Sequence, residues 1–177
     1  HVLRVLRNDG GDQKKAALSK DEAADVFLNL PALAAFSRVL CAEVTQLYDT
    51  WSVRTLVGPK FIDFAPYLQV YAYYHQHYDA ARRKLVALCE RRKELRDLVA
   101  QLETGGRKLA LNAYLIMPVQ RLPRYVMLLK ELYDATPSDH ADRAPLAAAV
   151  ELVRAVTKKV DESVDGGGGA GGAGGGD

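Results

Sequence analysis

"LNAYLIMPVQRLPRYVMLLKELYDAT", residues 111–136, is the stretch that decides how this chain folds. It is rich in leucine and aromatic residues, yet it carries prolines at 118 and 123. A proline inside a helix removes a hydrogen bond, whereas the first helical turn tolerates one because its amides have no internal partner. Pro118 therefore predicts a boundary at which "LALNAYLIM" closes one helix and "PVQRLPRY" opens the next, with Pro123 one turn in and distorting its start. At 100° per residue, Leu122, Tyr125, Leu129 and Leu132 fall on one side of the second helix, flanked by Val126 and Tyr133. Gln120, Arg124, Met127 and Glu131 share a narrow stripe on the opposite side. On residue types alone the stripe admits two readings. It is a solvated face, as many helices have, or it is a contact surface, for which an outward Met and an Arg fork are suited.

The rest of the chain is helical in pattern too. "HVLRVLRND" has the spacing of one helical face and stops at Gly10-Gly11. Ser19 followed by Glu22 reads as a capping box ahead of Val26, Phe27, Leu30, Leu33, Leu40, Val44 and Leu47, with an interruption expected near Asn29 because of Pro31. "WSVRTLVGP" is a connector. A second long stretch runs from Phe61 to Glu103, with breaks expected near Pro66 and again around His75–Tyr78, and Gly105-Gly106 closes it. After the loop "TPSDHAD", a last helix from about Arg143 to Val164 has Asp142 as its expected N-cap and Leu146, Val150, Val153, Val156 and Val160 as its apolar stripe. No strand-type alternation occurs, so the fold class is all-α, an elongated bundle of antiparallel helices.

Composition narrows the function. The 177 residues carry 24 basic and 22 acidic side chains, a balance that argues against a dedicated nucleic-acid binder. Residues 166–177, "GGGGAGGAGGGD", read as a flexible linker or tail, which leaves residues 1–165 for one domain. Cys41 and Cys89 have no metal-ligand spacing and read as reduced thiols of an intracellular protein. There is no run of eighteen apolar residues and no signal-peptide pattern. His75 and His77 point in different directions on a helix, so no metal or cofactor is expected. The basic run "ARRKLVALCERRKELRD" is interleaved with acids and reads as a salt-bridged solvent face. Tyr67, Tyr71, Tyr74 and Tyr78 recur at helical spacing and read as core and groove packing. Neither a nucleophile elbow nor a phosphate-binding loop occurs, so no covalent chemistry is expected.

The opening stretch, extended through Pro137 and His140, resembles the third conserved region of the Dbl-homology domain, the exchange-factor domain for Rho-family GTPases. The resemblance rests on Tyr114-Leu115-Ile116, on Pro118-Val119-Gln120-Arg121 with Pro123-Arg124-Tyr125, on Leu128, Leu129 and Leu132, and on Thr136-Pro137 with His140. "LSKDEAADVFLNLPAL" and "VGPKFIDFAPYLQVYAYYHQHYDAA" look like further family segments, so that the likeness covers residues 1 to about 164. It implies a Dbl-homology bundle that binds a Rho-family small GTPase, remodels its switch regions and promotes GDP release without covalent chemistry. It also implies that Gln120 and Arg124 engage switch II, with Met127 and Glu131 on the same stripe, help from Asp161 on the last helix, and Val126 at a selectivity position. The family's first helix carries a glutamate that engages switch I; "HVLRVLRND" looks like the later part of that helix, so the start of the helix is expected upstream of His1. Asp161 stands where the family often has Asn, and a carboxylate accepts hydrogen bonds but donates none. A Dbl-like scaffold that binds partners without exchange is therefore the alternative. A cytoplasmic location, with recruitment to the inner face of the plasma membrane through a pleckstrin-homology domain beyond this chain, completes what the resemblance implies.

Overall fold

The structure is a computed structural model that describes residues 17–104 and 110–165. The first helical pattern, the closing Gly105-Gly106 and the glycine-rich tail lie outside the described residues. Among the described residues every regular element is helical.

Helix α1 spans Lys20–Phe27 and starts at the expected capping box, in which Ser19 Oγ accepts from the Glu22 amide at 3.1 Å and Glu22 Oε2 accepts from the Ser19 amide at 2.9 Å. Pro31 cannot bond back to Phe27, and the chain breaks there as expected. Leu28 takes φ 51°, a region that costs a side-chain-bearing residue energy, and α2 then spans Leu30–Asp49, bent by 51° from α1. Packing of Leu28 against the main core and donation from Asn29 Nδ2 to the Val70 carbonyl at 2.9 Å hold this corner. Helix α3 spans Gly58–Phe64 and runs into a 3-10 turn over Ala65–Gln69, where Pro66 forces the change.

Helix α4, Val70–Arg91, overturns one expectation, because it passes unbroken through His75–Tyr78. Its two histidines and Tyr78 are weaker helix formers, but tertiary bonds override weak propensity. Tyr74 Oη donates to the Leu115 carbonyl at 2.8 Å, and His75 Nε2 lies 2.9 Å from the Val119 carbonyl. The break comes instead at Arg92, which is extended between α4 and α5 (Lys93–Thr104). Its guanidinium forks onto the Glu22 carboxylate, with Nη1 to Oε2 at 2.9 Å. The basic run thus finds its acids on α1, where Lys84 also pairs with Asp25. Of the four tyrosines read as packing, Tyr71 and Tyr74 are buried and Tyr78 half-buried, but Tyr67 is 66% exposed on the 3-10 turn.

Arg92 and the capping amide together pull the Glu22 carboxyl from its ordinary 4.5 down to about 2, with the Arg92 hydrogen bond the larger cause. The folded value lies below the unfolded one, so this stabilisation is present above pH 4.5 and fades as pH falls toward 2. Because the pair is partly solvated, its worth is about 1 kcal/mol. Melts of wild type and Glu22→Gln should differ by that amount at pH 6, by less at pH 3, and converge as pH falls to about 2.

Two apolar cores sit in tandem. The first joins α1, α4, α5 and α6 (Leu111–Leu115) through Leu18, Val26, Phe27, Leu85, Leu95 and Leu115. The second joins α2, α4, α7 (Met117–Ala135) and α8 (Arg143–Asp165) through Leu33, Tyr71, Leu122, Leu129, Leu146 and Val153. Leu30 and Tyr78 touch both, and the bundle is elongated as expected. Pro118 occupies the first turn of α7, as its chemistry requires.

The loop between α7 and α8 acts as a buckle. His140 Nε2 donates to the Val53 carbonyl at 2.8 Å, while its Nδ1 accepts from the Asp142 amide at 3.0 Å. Asp142 was expected to cap its own helix. It does precede α8, but its buried carboxylate serves another element, accepting from the Val57 amide at 2.8 Å and the Gly58 amide at 3.0 Å. Those amides begin α3 and have no helical partner, so a neighbouring carboxylate is the better use of the side chain. Gly58 permits this approach, since a Cβ there would fall 2.5 Å from the Leu146 nitrogen. Asp142→Ala should cost about 2 kcal/mol by stranding the buried amide of Gly58, and Asp142→Asn, which keeps one acceptor, about half as much; urea melts of both variants check the order.

Candidate functional site

Helix α7 places its apolar side as the periodicity predicted: Leu122 and Leu129 are buried, and Tyr125 and Leu132 are half-buried. Tyr125 meets Phe61 edge to face at 6.1 Å and lies beneath the Arg121 guanidinium at 5.6 Å, and burial pushes its phenol up to about 12. On the other side Gln120, Arg124, Met127 and Glu131 are all exposed, Met127 by 52%. Arg124 Nη2 donates to Gln120 Oε1 at 3.0 Å, a one-turn pair that keeps the two side chains together on the surface.

Unlike features flank this stripe. To one side is an open cleft of about 680 Å³ between α4, α7 and α8. It is lined by Gln120, Pro123 and Arg124 from α7, His75, Tyr78 and Asp79 from α4, and Asp161 from α8. Asp161, separated from Gln120 by the whole of the α7–α8 hairpin in sequence, is thus brought to the wall opposite it. To the other side is a mainly apolar groove of about 480 Å³ between α2 and α7, where Val44, Tyr48 and Leu128 are 40%, 77% and 55% exposed. Val126 lines neither cavity; it is half-buried and packs against the main core. Met127 and Glu131 continue the exposed stripe along α7, outside the residues that line the cleft.

The periodicity did not reveal His75, which is 9% exposed and sits at the junction of the three helices. Pro123 gives the reason it is there. In an α-helix the Val119 carbonyl accepts from the amide four residues on, and that residue is Pro123, which has no N–H. His75 Nε2 supplies the missing donor at 2.9 Å. A carbonyl can only accept, so Nε2 carries the proton and the other ring nitrogen faces Asp161, with Nδ1 3.6 Å from Oδ1. An interior proline in α7 was the available signal; it announces an orphaned carbonyl without saying which helix answers it.

A family model described as RhoGEF domain matches residues 1–161. Among curated proteins, the chain is 30% identical over 144 residues to Rac guanine nucleotide exchange factor JJ of Dictyostelium discoideum, covering 80% of this chain and 12% of that protein. It is 34% identical over 145 residues to Dynamin-binding protein of Mus musculus, covering 77% of this chain and 9% of that protein. The chain therefore spans about a tenth of the length of these relatives. Among solved structures, the fold is shared with the DH/PH domains of PDZ-RhoGEF in complex with GTP-gamma-S-activated RhoA, at a TM-score of 0.78 and 21% identity, over 93% of this chain and 49% of that one.

Proposed function

Because the chain belongs to the RhoGEF domain family, we propose that it is the exchange domain of a guanine nucleotide exchange factor that binds a Rho-family small GTPase, remodels its switch regions and promotes GDP release. The observation that carries this reading is the exposed α7 stripe, with an amide–guanidinium pair at its centre, an acidic cleft on one flank and an apolar groove on the other. Such a surface suits a protein partner better than a small substrate, because apolar area gives affinity while the polar centre sets register.

In this reading Gln120 and Arg124 hold switch II, Met127 and Glu131 extend the contact along α7, and Asp161 accepts a hydrogen bond from the partner across the cleft. Val126 influences which GTPase is accepted, acting from its half-buried place through the packing of α7. No bond is made or broken in the partner. The domain binds the nucleotide-free GTPase more tightly than the loaded one, and that difference in affinity lowers nucleotide affinity by the same factor. Asp161, an acceptor only, favours a second reading, in which the domain binds a GTPase as a scaffold without exchange. A pleckstrin-homology domain elsewhere in the protein, bringing a cytoplasmic factor to the plasma membrane, fits the paired DH/PH arrangement of PDZ-RhoGEF.

The test is release of a fluorescent GDP analogue from Rac and RhoA. Exchange is supported by acceleration for at least one of them. Binding to the nucleotide-free GTPase without acceleration establishes the scaffold instead, and absence of both overturns the reading.

A further inference from the structure

Neighbouring residues of α4 hold neighbouring turns of the segment that carries the α7 stripe. Tyr74 Oη donates to the Leu115 carbonyl at 2.8 Å, and His75 Nε2 donates to the Val119 carbonyl at 2.9 Å. The two acceptors lie one helical turn apart, on either side of Pro118. Both donors belong to side chains packed inside the bundle, Tyr74 with 1% and His75 with 9% exposure. The second bond stands where α7 cannot hold itself. Pro123 has no N–H to return to Val119, and an interior proline opens the helix on that side. The turn so weakened is the one that Gln120 and Arg124 bridge with their 3.0 Å bond.

We infer that His75 is a positioning residue of the exchange surface: by donating to the Val119 carbonyl it fixes how far the Pro123 turn opens, and with it the spacing of Gln120 and Arg124. The inference rests on the exchange reading above. In a regular helix the backbone ladder sets the pitch between residues four apart. Across this turn a side chain of α4 sets it, while Tyr74 holds the turn before. Nε2 donates whether the ring carries one proton or two, so the bond does not depend on the charge of the ring. Nor does it involve Asp161, which faces the other ring nitrogen at 3.6 Å. Val119 and His75 both line the open cleft. Water would therefore reach the Val119 carbonyl if the imidazole were removed, and would satisfy that acceptor without fixing the turn. Loss of the donor then falls on the geometry of the binding pair, which tolerates misplacement poorly.

The donor can be separated from the ring. His75→Gln keeps an N–H close to the place of Nε2 but loses the ring edge that faces Asp161. His75→Leu keeps bulk without a donor, and His75→Ala leaves room for water; either serves if the other does not fold. Release of the fluorescent GDP analogue from Rac and RhoA is measured for wild type and each variant, with and without Gln120→Ala. The variants without a donor should be slower than wild type by about tenfold, within what misplacement of a binding group costs, and His75→Gln should recover most of that loss. With Gln120→Ala there is no pair to space, so the loss should shrink to about threefold or less, because coupled residues are not additive. Carbon NMR of the domain alone follows the Val119 carbonyl, whose signal should move in the variants without a donor and stay near its wild-type place in His75→Gln. A Val119 signal that ignores His75→Leu and His75→Ala means that the bond does not hold the turn, and the inference falls. A His75→Gln variant as slow as the others assigns the effect to the ring and not to the donor. An undiminished loss in the Gln120→Ala background, or failure of both donor-free variants to fold, makes His75 a packing residue. Each of these results overturns the positioning role. Absence of release from either GTPase by wild type overturns the exchange reading and the positioning role together, while the NMR result still decides whether the bond exists.

Discussion

Replacing Gln120 and Arg124 together with Ala should lower nucleotide release by about 100-fold or more while leaving the melting temperature nearly unchanged. Both side chains are exposed, and among the described residues the hydrogen bond they make is to each other. Removing an exposed pair of this kind changes stability by about 0.5 kcal/mol. In the proposed complex the same two groups are central, and truncating a central Arg with its neighbour commonly costs about 2–4 kcal/mol of binding. The flat stability and the collapsed rate together are the result expected. Circular dichroism melts and stopped-flow release rates measure them on the same preparations. A variant that melts far below wild type would make these side chains structural. One that melts normally and exchanges at full rate would move the GTPase surface elsewhere.

The second large effect lies on the same helix as its control, six residues away. Leu122→Ala should destabilise the domain by about 4 kcal/mol, within the range for fully buried leucines that leave a cavity. Leu122 has 0% exposure and packs in the main core that joins α2, α4, α7 and α8. For a domain of this size such a loss lowers the melting temperature by about 8–16 °C. Leu128→Ala makes the same chemical change at a position 55% exposed on the α2–α7 groove, and it should cost about 0.5 kcal/mol. If the partner uses the groove, Leu128→Ala weakens exchange without affecting stability. Similar destabilisation by both substitutions would mean that α7 does not sit in the bundle as described.

These two experiments also mark how far the sequence reaches. Helical periodicity alone put Leu122 and Leu129 inward and Gln120, Arg124, Met127 and Glu131 outward, because the facing of a helix is set by residues three and four apart. Pro118 in the first turn of α7, the Ser19–Glu22 box and the interruption at Pro31 were legible for the same reason, each being a bond made or refused within one turn. Resemblance to a known family, and not periodicity, drew attention to Asp161. Tertiary structure alone decided what Pro123 requires. The proline announces that the Val119 carbonyl lacks a donor, but the donor stands on α4, 44 residues away. It likewise decided that the Asp142 carboxylate would serve α3, 84 residues distant, and that the long helical stretch would break at Arg92, where a guanidinium reaches Glu22, and not at His75. Local rules specify which groups are left wanting. Which distant group satisfies them depends on how the helices pack, since a hydrogen bond or ion pair between elements forms only after burial of their apolar faces has brought them together.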